Sequence, residues 1–226
     1  MVKVGYKITI DGPAASGKGY AAKEVSNALG ILNVDTGAMY RAVALYCINN
    51  SIAVQDIKDI PSLEDIIDIC LKKQDDNLKV YLNNEDVTDK IRTKQIDEFV
   101  AKVAQIPCVR EYVKSIQRKI AMNNNVIIEG RDIGSVVFPE AELKIFLTAD
   151  VSVRAQRRYK DMIARNIDMT YEEVLEAIKR RDEKDINREV SPLVKTDDMI
   201  LIDTTSLSRE QVVNKILGYV KEKGLV

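Results

Sequence analysis

The sequence predicts an α/β protein with a parallel central sheet, flanked by helices and interrupted by an inserted segment of antiparallel character. Three observations predict this fold. Strand-like and helix-like segments alternate at the start of the chain, which is typical of a parallel sheet. The predicted strand Val126–Glu129 opens with the apolar run Val126–Ile128, which fits a strand that is buried on both faces. Two adjacent asparagines, Asn83 and Asn84, favour a tight turn between short strands.

The N-terminal part of the chain predicts two strand-helix pairs. A short β-prone run ends at Asp11-Gly12, and an alanine-rich helical segment follows it. A second strand and helix come next, the helix with Met39, Val43 and Tyr46 along one face. The predicted elements are a strand at Tyr6–Ile10, a helix at Lys18–Leu29, a strand at Leu32–Asp35 and a helix at Gly37–Asn49.

From Ser51 the segments no longer alternate between strand and helix, which predicts an insertion into the sheet. Its final helix begins with Pro107, and proline is favoured at the first helical position. The predicted elements are a helix at Leu63–Leu71, strands at Leu78–Leu82 and Glu85–Thr88, and helices at Ile96–Gln105 and Pro107–Met122.

The sheet then resumes, with polar helices between its remaining strands. Thr170 with Glu173 and Ser208 with Gln211 have the spacing of capping boxes, which mark helix starts. The predicted strands are Val126–Glu129, Lys144–Leu147 and Met199–Ile202, and the predicted helices are Val151–Asn166, Thr170–Lys184 and Ser208–Lys223.

Length and composition predict one globular unit that carries an inserted subdomain. The chain has 226 residues, of which 46% are hydrophobic and 31% charged. Its 34 basic and 35 acidic residues nearly cancel, so no global field attracts nucleic acid or anionic lipid. The chain has no histidine, which excludes catalytic pairs, zinc sites and haem sites that depend on imidazole.

The cysteines and the apolar segments predict a protein that stays in the cytoplasm. Cys47, Cys70 and Cys108 are odd in number and widely spaced, so we expect buried thiols in a reducing compartment rather than disulfides or a metal site. The first residues lack the long apolar stretch of a signal peptide, and no window reaches the ~18 apolar residues of a membrane span.

A glycine-rich segment between the first predicted strand and helix matches the pattern G-x-x-x-x-G-K. Such a loop directs backbone N–H groups at phosphate oxygens, and its lysine adds a positive charge near the terminal phosphates. The alternative is a plain tight turn, but the position between a strand and a helix favours phosphate binding. The predicted nucleotide-binding residues are Gly12, Pro13, Ala14, Ala15, Ser16, Gly17, Lys18, Gly19 and Tyr20.

Arginines are concentrated in the last third of the chain, where seven of the thirteen lie between Arg154 and Arg188. One interpretation is a set of solvated helices with ion pairs. The other is phosphate binding, because the planar guanidinium group clamps phosphoryl oxygens with two hydrogen bonds. Four arginines share one predicted helix face: Arg154, Arg157, Arg158 and Arg165.

Polar residues also follow the predicted strands directly. Arg131 and Asp132 come after a buried strand, and Asp35-Thr36-Gly37 comes after another. In an open α/β sheet, ligands bind at the carboxyl ends of the strands, beside the phosphate-binding loop. Because the chain lacks histidine, an acceptor that is already ionised, such as a phosphate, suits it better than a hydroxyl group that needs a base.

Several dispersed motifs extend this pattern over nearly the whole chain. They are ITIDGPAASGKG at 8–19, DTGAMYRA at 35–42, DVTDKIRT at 86–93, PCVRE at 107–111, EGRDIGSVVFPEAELKIFL at 129–147, RRDEKDINRE at 180–189, PLVKTDDMILIDTT at 192–205 and LSREQV at 207–212. In order and spacing these motifs closely resemble the bacterial cytidylate kinases, a branch of the nucleoside monophosphate (NMP) kinases.

The resemblance implies transfer of the γ-phosphoryl group of ATP to CMP or dCMP, with Mg²⁺, in a cytoplasmic protein that is usually monomeric. It implies a P-loop three-layer α/β/α fold with a parallel sheet, an NMP-binding insertion that contains a small antiparallel sheet, and a short lid. The corresponding boundaries are a core at about 1–38 and 126–226, an insertion at about 39–125 and a lid at about 154–170. No metal ligand from the protein and no nucleic-acid or membrane partner is implied.

The resemblance also implies a role for individual residues. Arg41, Arg131 and Arg188 would hold the acceptor phosphate, with Thr36 beside them. Arg110 and Asp132 would read the cytosine edge, and Arg181 with Asp185 would contact the ribose. The residues expected to act on the transferring group are Lys18, Arg131 and the lid arginines Arg154, Arg157 and Arg158.

Two positions depart from the family pattern. Tyr20 stands where relatives have a small hydroxyl residue, so its contact with the donor phosphate would differ. Ala101 stands where relatives often have a serine that helps to read the base, so one hydrogen bond worth about 0.5 to 1.5 kcal/mol would be missing.

Two other classes of function remain open at this point. One is a P-loop kinase for another small acceptor, such as UMP or shikimate. The other is a noncatalytic P-loop switch or nucleic-acid-binding module, although no Asn-Lys-x-Asp guanine motif is present and aromatic residues make up only 5% of the chain.

Overall fold

The computed structural model describes residues 5–74, 77–164 and 167–226, and the chain forms two compact units. The first unit comprises the chain up to Asn33 and from Asn124 onward, and the second is Val34–Asn123. The α/β class, with a parallel central sheet and a small antiparallel sheet, is confirmed.

The central sheet has five strands: β1 (Lys7–Asp11), β2 (Leu32–Asp35), β6 (Val126–Gly130), β7 (Leu143–Thr148) and β8 (Ile200–Asp203). Their order in the sheet is β2-β6-β1-β7-β8. Parallel pairing of β1 with β6 sets Asp11 opposite Gly130, and pairing with β7 sets Asp11 opposite Phe146. The carboxyl ends of these strands therefore share one edge.

Two helices of the first unit, α1 (Lys18–Leu29) and α7 (Arg209–Glu222), pack on this sheet through their apolar faces. α1 contributes Ala21, Ala22 and Val25 to a fully buried core, and α7 contributes Ile216 and Val220. The capping boxes predicted at Thr170 and Ser208 are both present. The helices α5 (Val151–Ala164) and α6 (Tyr171–Asn187) pack on each other through Ala155, Val174 and Ile178. The predicted end of α5 at Arg165 and Asn166 lies outside the described residues.

The second unit combines helices with a three-stranded antiparallel sheet of order β3-β4-β5. Asn83 and Asn84 both have positive φ, 49° and 67°, as the predicted hairpin turn requires. The elements are α2 (Thr36–Asn49), β3 (Ile69–Gln74), β4 (Asn77–Leu82), β5 (Glu85–Asp86), α3 (Lys94–Val103) and α4 (Pro107–Ala121). The last strand is thus shorter than the predicted Glu85–Thr88.

The predicted helix at Leu63–Leu71 is wrong. Ile66 and Ile67 donate backbone hydrogen bonds to the Leu63 carbonyl, which makes a single turn, and β3 then starts at Ile69. The apolar residues of this segment have helical spacing, but pairing of Ile69–Gln74 with β4 satisfies the backbone as a strand. Tertiary pairing overrides a short periodic pattern here.

Sequence reasoning also missed a π-helical turn at Ile133–Val137 and short 3₁₀ turns at Val54–Asp59 and Lys90–Arg92. Of the three free cysteines, Cys47 is buried as predicted, whereas Cys70 and Cys108 are only half-buried. No helix within residues 5–74, 77–164 and 167–226 is long and apolar enough to cross a bilayer.

Removing the cap of α7 is expected to destabilise the protein, because Ser208 accepts a hydrogen bond from the Gln211 backbone and the helix contributes Ile216 to the core. Ser208→Ala should lower the free energy of unfolding by about 1 kcal/mol, measured by urea denaturation. Ser206→Ala, at an exposed position on the preceding loop, is the control and should change it by less than about 0.5 kcal/mol. Equal stability of the two variants would contradict the role of the cap.

Candidate functional site

The glycine-rich loop between β1 and α1 has the backbone geometry that close approach to phosphate requires. Gly12 has a φ of 147°, and a Cβ built there would lie 2.0 Å from the Leu147 carbonyl oxygen, so only glycine fits. Ala15 and Gly17 also have positive φ, 58° and 98°. Gly17 is the N-cap of α1, so the loop ends at a helix N-terminus, where backbone N–H groups and the helix dipole favour anions.

Lys18, the first residue of α1, is buried beneath this loop. Its ammonium donates to the Pro13 carbonyl at 2.7 Å and to the Ser16 hydroxyl at 3.3 Å. Burial and the nearby Arg131 charge lower the pKa of Lys18 to about 7, while Glu129 and Asp11 act in the opposite direction. An anionic ligand bound next to Lys18 would raise this pKa again and so favour the charged ammonium.

Glu129 and Asp11 lie at the carboxyl ends of adjacent strands. A Cβ on Gly19 would lie 3.3 Å from a Glu129 carboxylate oxygen, so that carboxylate lies against the end of the loop. Asp11 is fully buried and accepts hydrogen bonds from the backbone N–H groups of Ile133 and Gly134 at 2.9 and 2.7 Å. Acidic groups thus surround the buried ammonium.

Arg131 leaves β6 at the same edge and joins a network of predicted site residues. Its Nε donates to Asp185 at 2.9 Å. Arg188 lies 4.0 Å from the other oxygen of Asp185 and 3.6 Å from an oxygen of Asp132. The structure therefore brings together four residues that the sequence assigned to the acceptor, and Arg181 is near enough to lower the pKa of Lys18 through its charge.

The predicted lid arginines differ in their surroundings. Arg154 is buried; its Nη1 lies 2.5 Å from Asp182 and 3.2 Å from the carbonyl of Ala14 in the glycine-rich loop. Arg157 donates to the hydroxyl and carbonyl of Thr204 at 2.9 and 2.7 Å. Arg158 is half-buried on α5. Arg154 is thus linked directly to the loop, whereas Arg165 lies outside the described residues.

Three predicted acceptor residues belong to the second unit. Thr36 is buried at the start of α2, where the Asp35 side chain caps the helix through Ala38 N–H at 3.1 Å. Arg41 forms an ion pair with Asp97. Arg110 is buried, donates to the Ala104 carbonyl at 2.9 Å and lies 5.6 Å from the centre of the Tyr40 ring. Both arginines are held by contacts within their own unit.

The two positions that depart from the family pattern lie on helices. Tyr20, in the first turn of α1, is partly exposed, and its ring lies 4.9 Å from the Arg209 guanidinium. Ala101 is half-buried on α3. Within the described parts of the chain, no group of three or more cysteine, aspartate or glutamate side chains could hold a metal ion.

Sequence reasoning missed three carboxylates near the cations: Asp182 forms an ion pair with Arg154, and Asp11 and Glu129 act on Lys18 through their charge. Asp11, Glu129 and Asp182 each lie beside a predicted phosphate-binding group, and none was assigned a role. A signal was present for Asp11 and Glu129, because each is an acid that directly follows an isoleucine near the carboxyl end of a strand. Asp182 lies among other charged residues of α6, and only the fold distinguishes it.

The arrangement in the first unit suits a ligand with several phosphates. A helix N-terminus, a buried ammonium and guanidinium groups lie at one sheet edge, and carboxylates hold the side chains. Guanidinium groups in this setting bind phosphoryl oxygens in pairs and neutralise charge that develops on them.

Comparison with a solved structure supports the fold. The crystal structure of an uncharacterized protein from Eubacterium ventriosum matches with a TM-score of 0.52 at 13% sequence identity. The match covers 96% of this chain and 98% of that one. At this identity the likeness extends to the fold alone.

Comparison of sequences is far more specific. A protein named cytidylate kinase from Carboxydothermus hydrogenoformans is 46% identical over 217 residues, which cover 96% of this chain and 98% of that protein. A protein of the same name from Fervidobacterium nodosum is 48% identical, with coverage of 96% and 97%. The family model for cytidylate kinase matches residues 8–222. With a match of this length and these identities, the chain belongs to the cytidylate kinase family.

Proposed function

We propose that the protein transfers the γ-phosphoryl group of ATP to CMP or dCMP, giving ADP and CDP or dCDP. The observation that carries the proposal is the buried Lys18 beneath the glycine-rich loop, beside the Arg131–Asp185 ion pair at the same sheet edge. Membership of the family supports CMP over the other acceptors considered, UMP and shikimate, and supports an enzyme over a noncatalytic P-loop module.

The donor half of the site is proposed to be the loop from Gly12 to Tyr20. Backbone N–H groups at the start of α1 would bind the phosphates of ATP, and the Lys18 ammonium would leave the Pro13 carbonyl for the β- and γ-phosphoryl oxygens. Arg154, which contacts the Ala14 carbonyl, lies where it would add a second positive charge to the donor.

For the acceptor half, we take about 39–125 as the NMP-binding insertion and about 154–170 as the lid. Asp132 would accept from the exocyclic amine of cytosine and Arg110 would donate to its acceptor atoms. Arg181 and Asp185 would contact the ribose. The residues that would hold the acceptor phosphate are Thr36, Arg41, Arg131 and Arg188.

The protein would then accelerate the reaction by aligning the two substrates and by neutralising the charge on their phosphates. The CMP phosphate is ionised at neutral pH, so its oxygen attacks the γ-phosphorus without a general base, in line with the departing ADP oxygen. Lys18 and Arg131, with Arg154, Arg157 and Arg158 in the lid, would stabilise the charge on the equatorial oxygens of the transferring group.

Mg²⁺ is proposed to arrive with ATP, held by phosphate oxygens and water. When bound, it supplies neutralisation of phosphate charge. Ser16, whose hydroxyl lies beside Lys18, is the loop residue whose oxygen could join its coordination shell.

The proposal also places the reaction in the cytoplasm, in a monomer that acts on small molecules without a nucleic-acid or membrane partner. The free cysteines Cys47, Cys70 and Cys108 suit a reducing compartment, and the net charge of −1 suits a protein without a polyanionic partner.

Acceptor specificity is tested by ADP formation in the presence of ATP and Mg²⁺. We expect turnover with CMP and dCMP, slower turnover with UMP, and none with shikimate, because the carboxylate of Asp132 would accept from the amine that cytosine carries and that uracil and shikimate lack. The control is the same assay without an acceptor, which separates phosphoryl transfer from ATP hydrolysis. A preference for UMP or shikimate, or ADP formation that ignores the acceptor, would overturn the proposal.

Loss of either central cation is expected to be severe. Lys18→Ala and Arg131→Ala should each lower kcat/KM at least about a hundredfold, since each removes a fixed positive charge from the transferring phosphoryl group. Steady-state kinetics with both substrates measures this. Lys23→Ala on α1 and Arg180→Ala on α6, both at exposed positions, are the matched controls and should stay within about threefold of wild type. Near-normal turnover of either central variant would refute its role.

ATP binding at pH 8 is expected to take up a proton. With a pKa of about 7, only roughly a tenth of Lys18 is charged at pH 8 in the free protein, and bound phosphate favours the charged form. Calorimetric titration with a nonhydrolysable ATP analogue, in two buffers of different ionisation enthalpy, should show uptake approaching one proton. The Lys23→Ala control should keep this uptake and Lys18→Met should lose it. A binding enthalpy independent of the buffer would contradict the assigned role of Lys18.

A further inference from the structure

Asp11 is a fully buried carboxylate at the end of β1, and its hydrogen bonds connect it to one turn of the chain. Its two oxygens separately accept from the backbone N–H groups of Ile133, at 2.9 Å, and Gly134, at 2.7 Å. Those two residues begin the π-helical turn that follows Arg131 and Asp132. One side chain therefore links the base of the glycine-rich loop to the segment that carries two proposed acceptor residues.

The N–H groups that Asp11 satisfies are among those that have no acceptor within the turn. Within the turn, the Asp132 carbonyl accepts from Val136 and Val137, and the Ile133 carbonyl accepts from Phe138. The first N–H groups of a helical turn have no acceptor inside it. Because these are buried, leaving one without an acceptor is costly, so the carboxylate fixes where the turn begins.

The turn also lies directly against β1. A Cβ on Gly134 would lie 2.6 Å from the Thr9 hydroxyl oxygen and 3.0 Å from the Met199 methyl carbon. Only glycine allows this approach without a shift of the turn. The Thr9 hydroxyl is buried and, within the described residues, has no hydrogen-bond partner, so it contacts the turn without anchoring it.

Satisfying two N–H groups with a charged carboxylate costs free energy, because the charge must be buried. Burial raises the pKa of Asp11 to about 6, against the opposite effect of the hydrogen bonds from Gly134 and Ile133. Asparagine has nearly the same shape but offers one acceptor oxygen, and its amide nitrogen would face the second N–H. Only a carboxylate satisfies both donors at this position.

We propose that Asp11 is a positioning residue for the acceptor: by holding Ile133 and Gly134, it sets the point at which Arg131 and Asp132 leave β6 and so orients both toward CMP. This inference rests on the proposed function. A side chain at the end of β1, next to the donor loop, would thus control the affinity for CMP, the other substrate.

The test is Asp11→Asn, with KM measured separately for CMP and for ATP. Loss of one anchor should raise the KM for CMP about tenfold, because Arg131 and Asp132 are no longer fixed. The KM for ATP should rise less than about threefold, since Asp11 is a smaller influence on Lys18 than burial, Arg131 or Glu129. Thr9→Val, on the same strand and against the same turn, is the control and should leave both values within twofold.

A second pair of variants tests the position of the turn without altering Asp11. Gly134→Ala should also raise the KM for CMP more than that for ATP, because the new Cβ pushes the turn away from Thr9. Thr9→Ala combined with Gly134→Ala should restore much of the loss, since the hydroxyl that collides with the Cβ is gone. An unchanged KM for CMP in folded Gly134→Ala would overturn the proposal even if Asp11→Asn cannot be purified.

The outcomes separate this proposal from the function on which it rests. If the wild-type protein does not phosphorylate CMP, the proposed function fails. If it does, and folded Asp11→Asn raises both KM values equally or neither, the function stands and the positioning role of Asp11 is refuted.

Discussion

Parallel pairing of β1 with β6 is the constraint on which the site in the first unit depends. Because Asp11 is opposite Gly130, the glycine-rich loop and Arg131 leave the sheet at adjacent points. Packing of the fully buried Ile8 and Ile10 holds that register, since a shift by one residue would exchange them with Thr9 and Asp11, which are buried on the opposite face of the sheet. The position of the cations is thus secured by the packing of residues that never contact a ligand.

Each of the main cations of the first unit is held by an acceptor of the protein. Lys18 donates to the loop, Arg131 to Asp185, and Arg154 to Asp182 and Ala14. A buried cation without such partners would be costly, and cations brought together at one sheet edge without them would repel one another. The same contacts preorganise the guanidinium groups, so a phosphate ligand meets donors whose positions are already restricted.

The sequence identified most of the fold because its local signals agree with the tertiary structure. The helix at Lys18–Leu29 and the strand at Leu32–Asp35 were predicted to the residue, as were both capping boxes. The segment at Leu63–Leu71 failed because its apolar spacing fits a helix while its backbone pairs with β4. The turn at Ile133–Val137 has no local signature, since a carboxylate more than a hundred residues away in the sequence satisfies its first N–H groups.

The sequence by itself determined the kinds of residue in the site: the glycine-rich loop with Lys18, the arginines, and Asp132 after an apolar strand. Those follow from local pattern, because a phosphate-binding loop needs glycines and a lysine at a fixed spacing. Only the tertiary structure decided which carboxylate holds which cation, since the ion pairs of Arg131 with Asp185 and of Arg154 with Asp182 join distant segments. It also decided that Asp11 faces Ile133 and Gly134, because the register of the sheet, rather than any local preference, brings those atoms together.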